Sequence, residues 1–413
     1  MAVFRPFKAI RPIPERAKDV AALPYDVMNS DEAREMVKGN PYSFLHVDKA
    51  EIDLDPSIDL YDEKVYLKAR ENLDKLVTDG VCKEDETPCI YIYRQIMNGR
   101  SQTGLVGCTA IDDYINNVIK KHELTRADKE ADRINHVDYC DANTGPIFLT
   151  YRPDAFISKT VEAWKENHAP VYDFVSEGVE NTVWVIDDAD TVKAVTDKFA
   201  QIESLYIADG HHRSAAAALV GDEMARNQTY TTGDEEFNYY MAVCFPSDEL
   251  TILDYNRVVK DLNGMGTEEF LQALSKNFKV ELKGETPYRP DHAHEFSLYL
   301  DGKWYSLEAK AGTFDETDPI GVLDVDISSR LILGDLLNIH DLRKDKRIDF
   351  VGGLRGLEEL QRRVDSGEMR MALALYPVDM EQIMNIADSG NIMPPKATWF
   401  EPKLRSGLVV HKF

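Results

Sequence analysis

The order of hydrophobic and polar positions predicts both helices and strands in this chain. Residues 62–79 carry apolar side chains at helical spacing among charged ones and end before Gly80, which indicates an amphipathic helix. Two apolar stretches, 89–95 and 102–111, flank Asn98-Gly99, a dipeptide typical of a tight hairpin turn. Helical and strand patterns then alternate, with segments predicted at 158–168, 182–186, 189–202 and 204–207. Together these patterns predict a mixed α/β fold.

The second half of the sequence has the same mixed character. A helix is predicted at 267–277, and a hairpin at 295–307, where Asp301-Gly302 marks the turn. No flexible linker separates the two halves. We place the boundary between an N-terminal α/β region, 1–250, and a C-terminal α/β region, 251–413. One compact unit is the alternative.

Charge and composition narrow the range of partners. Asp and Glu total 73 against 48 for Lys and Arg, a net charge of −25, and such an acidic surface repels nucleic-acid backbones and anionic membranes. There is no apolar run of membrane-spanning length and no signal-peptide core, and the five cysteines show no disulfide or zinc pattern. We expect a cytoplasmic protein whose partners are small molecules rather than nucleic acid or membranes, with a homo-oligomer compatible with the sequence.

The segment 205–214 brings several reactive side chains to one turn. An apolar strand pattern ends at Asp209, Gly210 permits a sharp turn, and an alanine-rich helix pattern follows. The start of a helix offers unpaired N–H groups and the positive end of its dipole, which favour an anion. A phosphate site is therefore predicted, with Gly210, His212, Arg213 and Ser214 as contacts. In the alternative interpretation, Asp209 only caps the helix and its neighbours are solvated.

A second charged segment, 120–136, follows the predicted hairpin. At helical spacing its basic residues fall near one face, which would attract an anion to an otherwise acidic protein. The expected anion-binding residues are Lys121, His122, Arg126, Lys129 and Arg133, with His136 near the same face. A solvated helix stabilised by salt bridges is the alternative interpretation.

The motif Asp209-Gly210-His211-His212-Arg213 resembles the signature loop of the ParB/sulfiredoxin-like superfamily, whose members hold nucleotide phosphates there. Within that superfamily it is most similar to the loop of free-serine kinases, which phosphorylate L-serine itself. Motifs along nearly the full length also resemble the prokaryotic family called domain of unknown function 1015, at 23–27, 40–47, 121–133, 143–146, 208–213 and 393–400. The resemblance implies a ParB/sulfiredoxin-like core with large insertions and a C-terminal α/β part.

The kinase resemblance implies a phosphotransferase that acts on an alcohol group. ATP or ADP would donate the phosphoryl group with Mg²⁺ as cofactor, and free L-serine would be the favoured acceptor, giving O-phosphoserine. In free-serine kinases a glutamate shortly after the first strand acts on the substrate hydroxyl. Glu15 occupies the comparable place here, with Asp26 and Glu123 as competitors for the same role.

The resemblance also implies roles for the loop residues. Asp209 would bind Mg²⁺ or steer a proton, and Arg213 would hold phosphate oxygens. His211 and His212 would stabilise charge on the transferring phosphoryl group. Positioning and charge stabilisation of this kind are what phosphoryl transfer requires.

Two functions of other classes are compatible with the same residues. A regulatory nucleotide-binding protein, or a slow NTPase, would use the loop without any acceptor. A metal-dependent hydrolase would use four histidines, His122, His136, His211 and His212. Adjacent side chains rarely converge on one metal ion, which disfavours zinc at the loop.

Overall fold

A computed structural model describes residues 1–125 and 127–413. They form two compact units: unit 1 comprises Met1–Leu250 with Pro402–Phe413, and unit 2 comprises Thr251–Glu401. Each unit combines helices with a β-sheet, so the mixed α/β class is confirmed. Arg126, one of the expected anion-binding residues, lies outside the described residues.

Most strands of unit 1 belong to one mixed sheet. The strands are β1 (Phe4–Arg5), β2 (Ile10–Pro12), β3 (Cys82–Glu84), β4 (Ile90–Met97), β5 (Arg100–Ala110), β6 (Ile119–Lys120), β7 (Ala142–Asn143), β8 (Ile147–Tyr151), β9 (Tyr172–Ser176), β10 (Val179–Ile186), β11 (Leu205–Asp209) and β12 (Tyr239–Pro246). The sheet order is β6-β11-β8-β12-β5-β4-β10-β9, with β1 added to β5, while β2 pairs with β3. β11 runs parallel to β6 and antiparallel to β8, and it carries the predicted phosphate loop at its end.

The β4–β5 hairpin forms as the sequence predicts. Its strands pair antiparallel from Tyr91 with Val106 to Met97 with Arg100. Asn98 and Gly99 have φ values of 53° and 77°, the left-handed backbone that a tight two-residue turn requires. The hairpin contributes two central strands to the large sheet.

The helices of unit 1 follow amphipathic patterns and polar caps. In the described part of the chain they are α1 (Ala17–Val20), α2 (Ser30–Met36), α3 (Leu45–Asp48), α4 (Glu63–Thr78), α5 (Ile111–Ile115), α6 (Ala127–Cys140), α7 (Ala155–Asn167), α8 (Ala189–Phe199) and α9 (His211–Asn227). The Asp62 side chain caps α4 by accepting from the Lys64 N–H, and α4 buries Val65, Ala69 and Leu73 at helical spacing. This confirms the helix predicted over 62–79.

The helical interpretation of 120–136 is wrong in its first third. Ile119 pairs with Leu205 of β11, which draws Lys120 into a strand, and α6 begins only at Ala127. His122 therefore lies in the connection between β6 and α6, not on the helix. The spacing of residues within 120–136 carries no information about pairing with β11, which lies more than 80 residues later in the sequence.

The last twelve residues pack within unit 1. Gln95 donates its side-chain amide to the Lys403 carbonyl at 3.0 Å, and the Arg405 N–H donates to the Tyr93 hydroxyl at 3.3 Å. The final strand, His411–Lys412, pairs with β7. Residues from the end of the chain thereby lie beside strands from its first half.

Unit 2 is built around a second sheet. Its strands are β13 (Tyr255–Val259), β14 (Phe278–Gly284), β15 (Glu295–Leu300), β16 (Lys303–Ala309), β17 (Ile348–Gly352) and β18 (Met371–Leu375), in the order β14-β16-β15-β18-β13-β17. Its helices are α10 (Thr267–Leu274), α11 (Asp324–Ser328), α12 (Gly356–Asp365) and α13 (Met380–Asp388), with a π-helix at Ser329–Gly334. The β15–β16 hairpin turns at Asp301-Gly302, as predicted.

Apolar side chains fill the interior of both units, and unit 1 also buries the thiols. All five cysteines are free and buried, and burial raises the pKa of Cys82 to about 12. That thiol is therefore protonated at neutral pH. None of the helices described in residues 1–125 and 127–413 combines the length and apolar character needed to cross a membrane.

Candidate functional site

The predicted strand, turn and helix are present at 205–214. β11 ends at Asp209, Gly210 adopts φ 95° and ψ 33°, and α9 starts at His211. Gly210 has no side chain with which to cap the helix. The N–H groups of the first turn, which have no partner within a helix, therefore point from its positive end toward the loop.

Asp209 is an ionised carboxylate between two cations. Its Oδ1 accepts the Gly210 N–H at 2.9 Å, its Oδ2 accepts from Lys403 Nζ at 3.2 Å, and Arg213 Nη2 lies 3.8 Å from Oδ2. Burial raises the pKa of Asp209, but the charges of Lys403 and Arg213 outweigh burial and lower it to about 2. The carboxylate is negative throughout the physiological pH range.

Arg213 is fixed in place from two sides. Its Nη1 donates to the Pro146 carbonyl at 2.5 Å, and its Nη2 faces Asp209. Two glycines leave space for the guanidinium, because a Cβ at Gly210 would lie 3.1 Å from Arg213 Nε and one at Gly145 would lie 3.5 Å from its Cδ. Arg213 is thus a preorganised cation at the start of α9.

Two histidines of the site, His122 and His211, are buried and neutral. His211 packs its ring edge-on against His122, with ring centroids 4.5 Å apart. Burial lowers the pKa of His122 to about 4, and burial together with His122 lowers the pKa of His211 well below its ordinary value. Within the described residues, Nε2 of His211 has no hydrogen-bond partner. These rings can act through hydrogen bonds at neutral pH but not through a positive charge.

Ser214 and His212 take different positions in the first turn of α9. The buried Ser214 hydroxyl donates to the Gly210 carbonyl at 3.1 Å, so it closes the helix turn on itself. His212 is half-buried. The Ser214 hydroxyl therefore donates its hydrogen bond to the backbone of its own helix turn.

The competing carboxylates lie in different environments. Glu123 Oε2 is 3.9 Å from His211 Nδ1, and about half of its side chain is exposed. Glu15, in the 3₁₀-helix Pro14–Arg16, and Asp26, in the 3₁₀-helix Tyr25–Val27, are exposed. Neither carboxylate makes a hydrogen bond or ion pair with another described residue. Of the three, Glu123 is the carboxylate that lies within 4 Å of a loop residue in the described part of the chain.

The basic residues of 121–133 are dispersed. Lys121 Nζ lies 4.0 Å from the centre of the Tyr114 ring, and Lys129 donates to the Tyr61 hydroxyl at 3.2 Å. Arg133 is buried, and so is His136. The expected basic face is therefore not one exposed surface, because Arg133 and His136 are buried whereas Lys129 is exposed.

A small cavity adjoins the loop. Its walls include Tyr25, Asp48, Arg133, His136, Thr144 and Arg213, and its interior volume is about 20 Å³. Such a volume holds about one water-sized group. Two of the three arginines expected to bind an anion, Arg133 and Arg213, thus border the same space.

Sequence analysis missed Lys403. It lies 194 residues after Asp209 and reaches the site because the C-terminal segment returns to unit 1. Its only sequence signal is its place close after the motif at 393–400. That signal suggests an ordered tail and does not indicate that Lys403 pairs with Asp209.

Potential metal ligands gather elsewhere. Among the described residues, one group of three is close enough to share an ion, Asp291, His292 and Glu295 of unit 2, with ligand atoms within 4.8 Å of one another. The four histidines of the hydrolase alternative form no such group in the described part of the chain. His136 instead contacts the Thr144 hydroxyl at 3.0 Å.

Several solved structures are similar to this chain at low identity. Free serine kinase in complex with AMP aligns with a TM-score of 0.37 and 14% identity, covering 73% of this chain and 90% of that one. A conserved hypothetical protein from Pyrococcus furiosus has a TM-score of 0.36 and 13% identity, with coverages of 73% and 93%. C-terminally truncated SbnI from Staphylococcus aureus has a TM-score of 0.36 and 10% identity, with coverages of 74% and 87%. These values are too low to assign a function to this chain.

Sequence comparison identifies the family. No curated protein sequence matches the chain significantly. The model of a family described as "Protein of unknown function (DUF1015)" matches residues 4–326, well over half of the 413 residues. The chain therefore belongs to the DUF1015 family.

Proposed function

We propose that this protein is a nucleotide-dependent phosphotransferase that phosphorylates the hydroxyl of a small molecule. The observation that carries the proposal is the ionised Asp209 between Lys403 and Arg213 at the start of α9. The favoured acceptor is free L-serine, giving O-phosphoserine. That choice rests on the resemblance of the loop motif to free-serine kinases.

The charges at the loop suit a nucleotide phosphate. Arg213 and Lys403 supply two cations against one carboxylate, and the N–H groups of α9 add further donors for phosphate oxygens. Phosphoryl transfer depends mainly on such positioning and charge stabilisation. The fixed geometry of Arg213 means that little reorganisation is needed when phosphate binds.

The residues also fit a magnesium–nucleotide complex. Asp209 is a carboxylate that stays ionised, and oxygen ligands of this kind are what Mg²⁺ prefers. Bound Mg²⁺ would neutralise part of the phosphate charge. The protein's own contribution is to hold the donor phosphates with Arg213, Lys403 and the helix N–H groups.

In the proposed reaction, the acceptor hydroxyl oxygen forms a bond to the terminal phosphorus of ATP or ADP. The bond from that phosphorus to the bridging oxygen breaks, and the nucleotide leaves with one phosphate fewer. A carboxylate takes the hydroxyl proton. We propose Glu123 for this role because it lies beside His211, and we retain Glu15 as the competitor that the kinase resemblance favours.

Product analysis tests the proposal directly. The full chain is incubated with Mg²⁺, with ATP or ADP, and with a pool of amino acids and small alcohols, and phosphorylated products are detected by mass spectrometry. Asp209→Asn, Arg213→Ala and Lys403→Met should each lower the rate by about 100-fold or more, the usual cost of removing a charge-stabilising group. Arg226→Ala, at the exposed far end of α9, is the control and should retain activity.

The alternatives give different results. Full activity of Asp209→Asn or Arg213→Ala would refute the assignment of the loop. Saturable nucleotide binding that Arg213→Ala abolishes, without any phosphorylated acceptor, would indicate a regulatory nucleotide-binding protein. Comparison of Glu123→Gln with Glu15→Gln then identifies the base, because only its loss should lower kcat while nucleotide binding persists.

A further inference from the structure

Unit 2 contains a group of potential metal ligands that the proposed function does not use. Asp291 and His292 lie between β14 and β15, Glu295 begins β15, and one ligand atom from each lies within 4.8 Å of the other two. Glu308 of β16 adds a fourth side chain, because its Oε2 is 3.6 Å from His292 Nε2. One imidazole and three carboxylates are therefore neighbours at the end of the β15–β16 hairpin away from its turn.

Glu295 is a buried carboxylate without a cationic partner. The residue is 5% exposed, and its Oε1 and Oε2 accept from the Tyr288 hydroxyl at 2.7 Å and the Asp291 N–H at 3.0 Å. Both donors are neutral. Among the described residues, no lysine, arginine or histidine nitrogen lies within 4 Å of this carboxylate. A charge buried in this way normally requires an ion pair or a metal ion.

The pairing of β15 with β16 places a second negative charge beside the first. Glu295 and Glu308 are directly opposite in the antiparallel register, so both side chains project from the same face of the sheet. Like charges at such positions destabilise the pair of strands. Lys283, which lies 4.9 Å from the centre of the Tyr288 ring, is paired with Glu281 at 2.9 Å. In the described part of the chain, neither of the opposed glutamates has a lysine or arginine partner.

His292 is oriented as a metal-binding histidine would be. Its Nδ1 lies 3.0 Å from the Ala293 carbonyl, which can only accept, so Nδ1 carries a proton and Nε2 of the neutral ring has a free lone pair. Nε2 is 3.4 Å from Asp291 Oδ1 and 3.6 Å from Glu308 Oε2. Two zinc–ligand bonds of about 2.1 Å at the tetrahedral angle place their ligand atoms about 3.4 Å apart. Both observed distances are close to that separation.

We infer that unit 2 binds a divalent transition-metal ion, with Zn²⁺ as the best fit, through four ligands: Asp291, His292, Glu295 and Glu308. The imidazole favours Zn²⁺ over Mg²⁺ and Ca²⁺, which prefer oxygen ligands alone. The ion would supply the positive charge that the opposed glutamates lack, and it would tie the connection before β15 to β16. The inference goes beyond the proposed function and does not depend on it, because none of these residues belongs to the phosphate loop.

A protonated His292 is the alternative source of positive charge. The hydrogen bond to the Ala293 carbonyl, and then the charges of Glu308 and Asp291, raise the pKa of His292. A proton on Nε2 would offset one carboxylate without any metal ion. The two explanations differ because only a metal site binds added Zn²⁺ with a fixed stoichiometry and releases it to a chelator.

Calorimetric titration with Zn²⁺ tests the inference. The full-length protein is treated with EDTA, desalted, and titrated without nucleotide, so that no nucleotide phosphate can recruit metal to the loop at Asp209. We expect one Zn²⁺ per chain and a rise in the unfolding temperature when Zn²⁺ is present. Mg²⁺ should bind at least about 100-fold more weakly, because it gains little from an imidazole.

Variants locate the bound ion. His292→Gln, Glu295→Gln and Glu308→Gln should each weaken Zn²⁺ binding by about 100-fold or more, since even a contact to a metal ligand is worth about 10–100-fold. Tyr288→Phe removes only the hydroxyl that donates to Glu295, and it should weaken binding by about tenfold. His292 is exposed, so His292→Gln should unfold in EDTA at a temperature close to that of the wild type.

The controls are exposed residues of the same unit. His340→Gln and Glu281→Gln should bind Zn²⁺ as the wild type does. Absence of saturable Zn²⁺ binding would overturn the inference and leave the protonated His292 as the explanation. Binding that His292→Gln and Glu308→Gln leave unchanged would also overturn it, as an adventitious ion only. Phosphoryl transfer by His292→Gln should equal that of the wild type, so the two proposals succeed or fail separately.

Discussion

The buried imidazole of His122 makes the stability of unit 1 depend on pH. Because burial lowers the pKa of His122 to about 4 from an ordinary value of 6.5, the unfolded chain takes up a proton first as the pH falls. The stabilisation is therefore complete above pH 6.5 and is lost progressively toward pH 4. By linkage, a shift of this size corresponds to about 3 kcal/mol.

Urea unfolding between pH 7.5 and 4.5 measures this contribution. The wild-type chain should lose more free energy of unfolding over that interval than His122→Gln, which has no ring to protonate. His340→Gln, at an exposed histidine of unit 2, controls for the loss of an imidazole elsewhere. Identical pH slopes for wild type and His122→Gln would show that this ring is not the group responsible.

The junction between β11 and α9 depends on a backbone conformation that only glycine adopts easily. Gly210 has φ 95°, and a Cβ there would lie 3.1 Å from Arg213 Nε. Gly210→Ala should therefore lower the free energy of unfolding by about 1–2 kcal/mol and also displace the guanidinium. We expect nucleotide binding to weaken at least about tenfold, as for other losses of a charged hydrogen bond.

Gly178→Ala is the control that separates backbone strain from displacement of the Arg213 guanidinium. Gly178 also has a left-handed φ, 76°, but a Cβ there would meet nothing within 4 Å. Both variants should unfold at lower temperature, whereas nucleotide titration should detect a loss only for Gly210→Ala. Equal nucleotide affinities would mean that the position of Arg213 is not determined by this turn.

The C-terminal segment is required both for the core of unit 1 and for the charges of the site. It contributes Leu404, Leu408, Val409 and Val410 to the buried core and brings Lys403 to Asp209. Deletion of residues 402–413 should cost on the order of 5 kcal/mol or more, the value of burying several aliphatic side chains, and should abolish nucleotide binding. Thermal unfolding and calorimetric titration measure the two effects.

Lys403→Met distinguishes lost charge from lost packing. The variant retains the packing of the rest of the segment, so it should melt well above the deletion variant. It should melt somewhat below the wild type, because Asp209 loses a cationic partner, and its nucleotide affinity should fall. If Lys403→Met binds nucleotide normally and only the deletion of residues 402–413 abolishes nucleotide binding, the segment affects the site solely through packing.

Sequence reasoning succeeded where a signal is local. The β4–β5 hairpin follows from Asn98-Gly99, and α4 follows from the amphipathic spacing of 62–79. It failed at 120–125, where Ile119 pairs with Leu205 and prevents the helix that the charge pattern favours. Pairing between distant strands is absent from any short window of sequence.

In the candidate site, too, sequence indicates the features that are local and misses those that depend on tertiary packing. The motif at 209–213 indicates the loop because a strand end, a glycine and a helix start are contiguous. Lys403 and the Pro146 carbonyl reach that loop only through tertiary packing. Charge complementarity between Asp209 and Lys403 becomes visible only when the two are neighbours in space.

The return of Lys403 to Asp209 also has a consequence for biosynthesis. During translation the loop leaves the ribosome long before Lys403, which follows Asp209 by 194 residues. A nascent chain can pair β11 with β6 and β8 while Asp209 still lacks its ammonium partner. Prematurely terminated products therefore carry the complete motif, but their Asp209 has only one of its two cationic neighbours, Arg213.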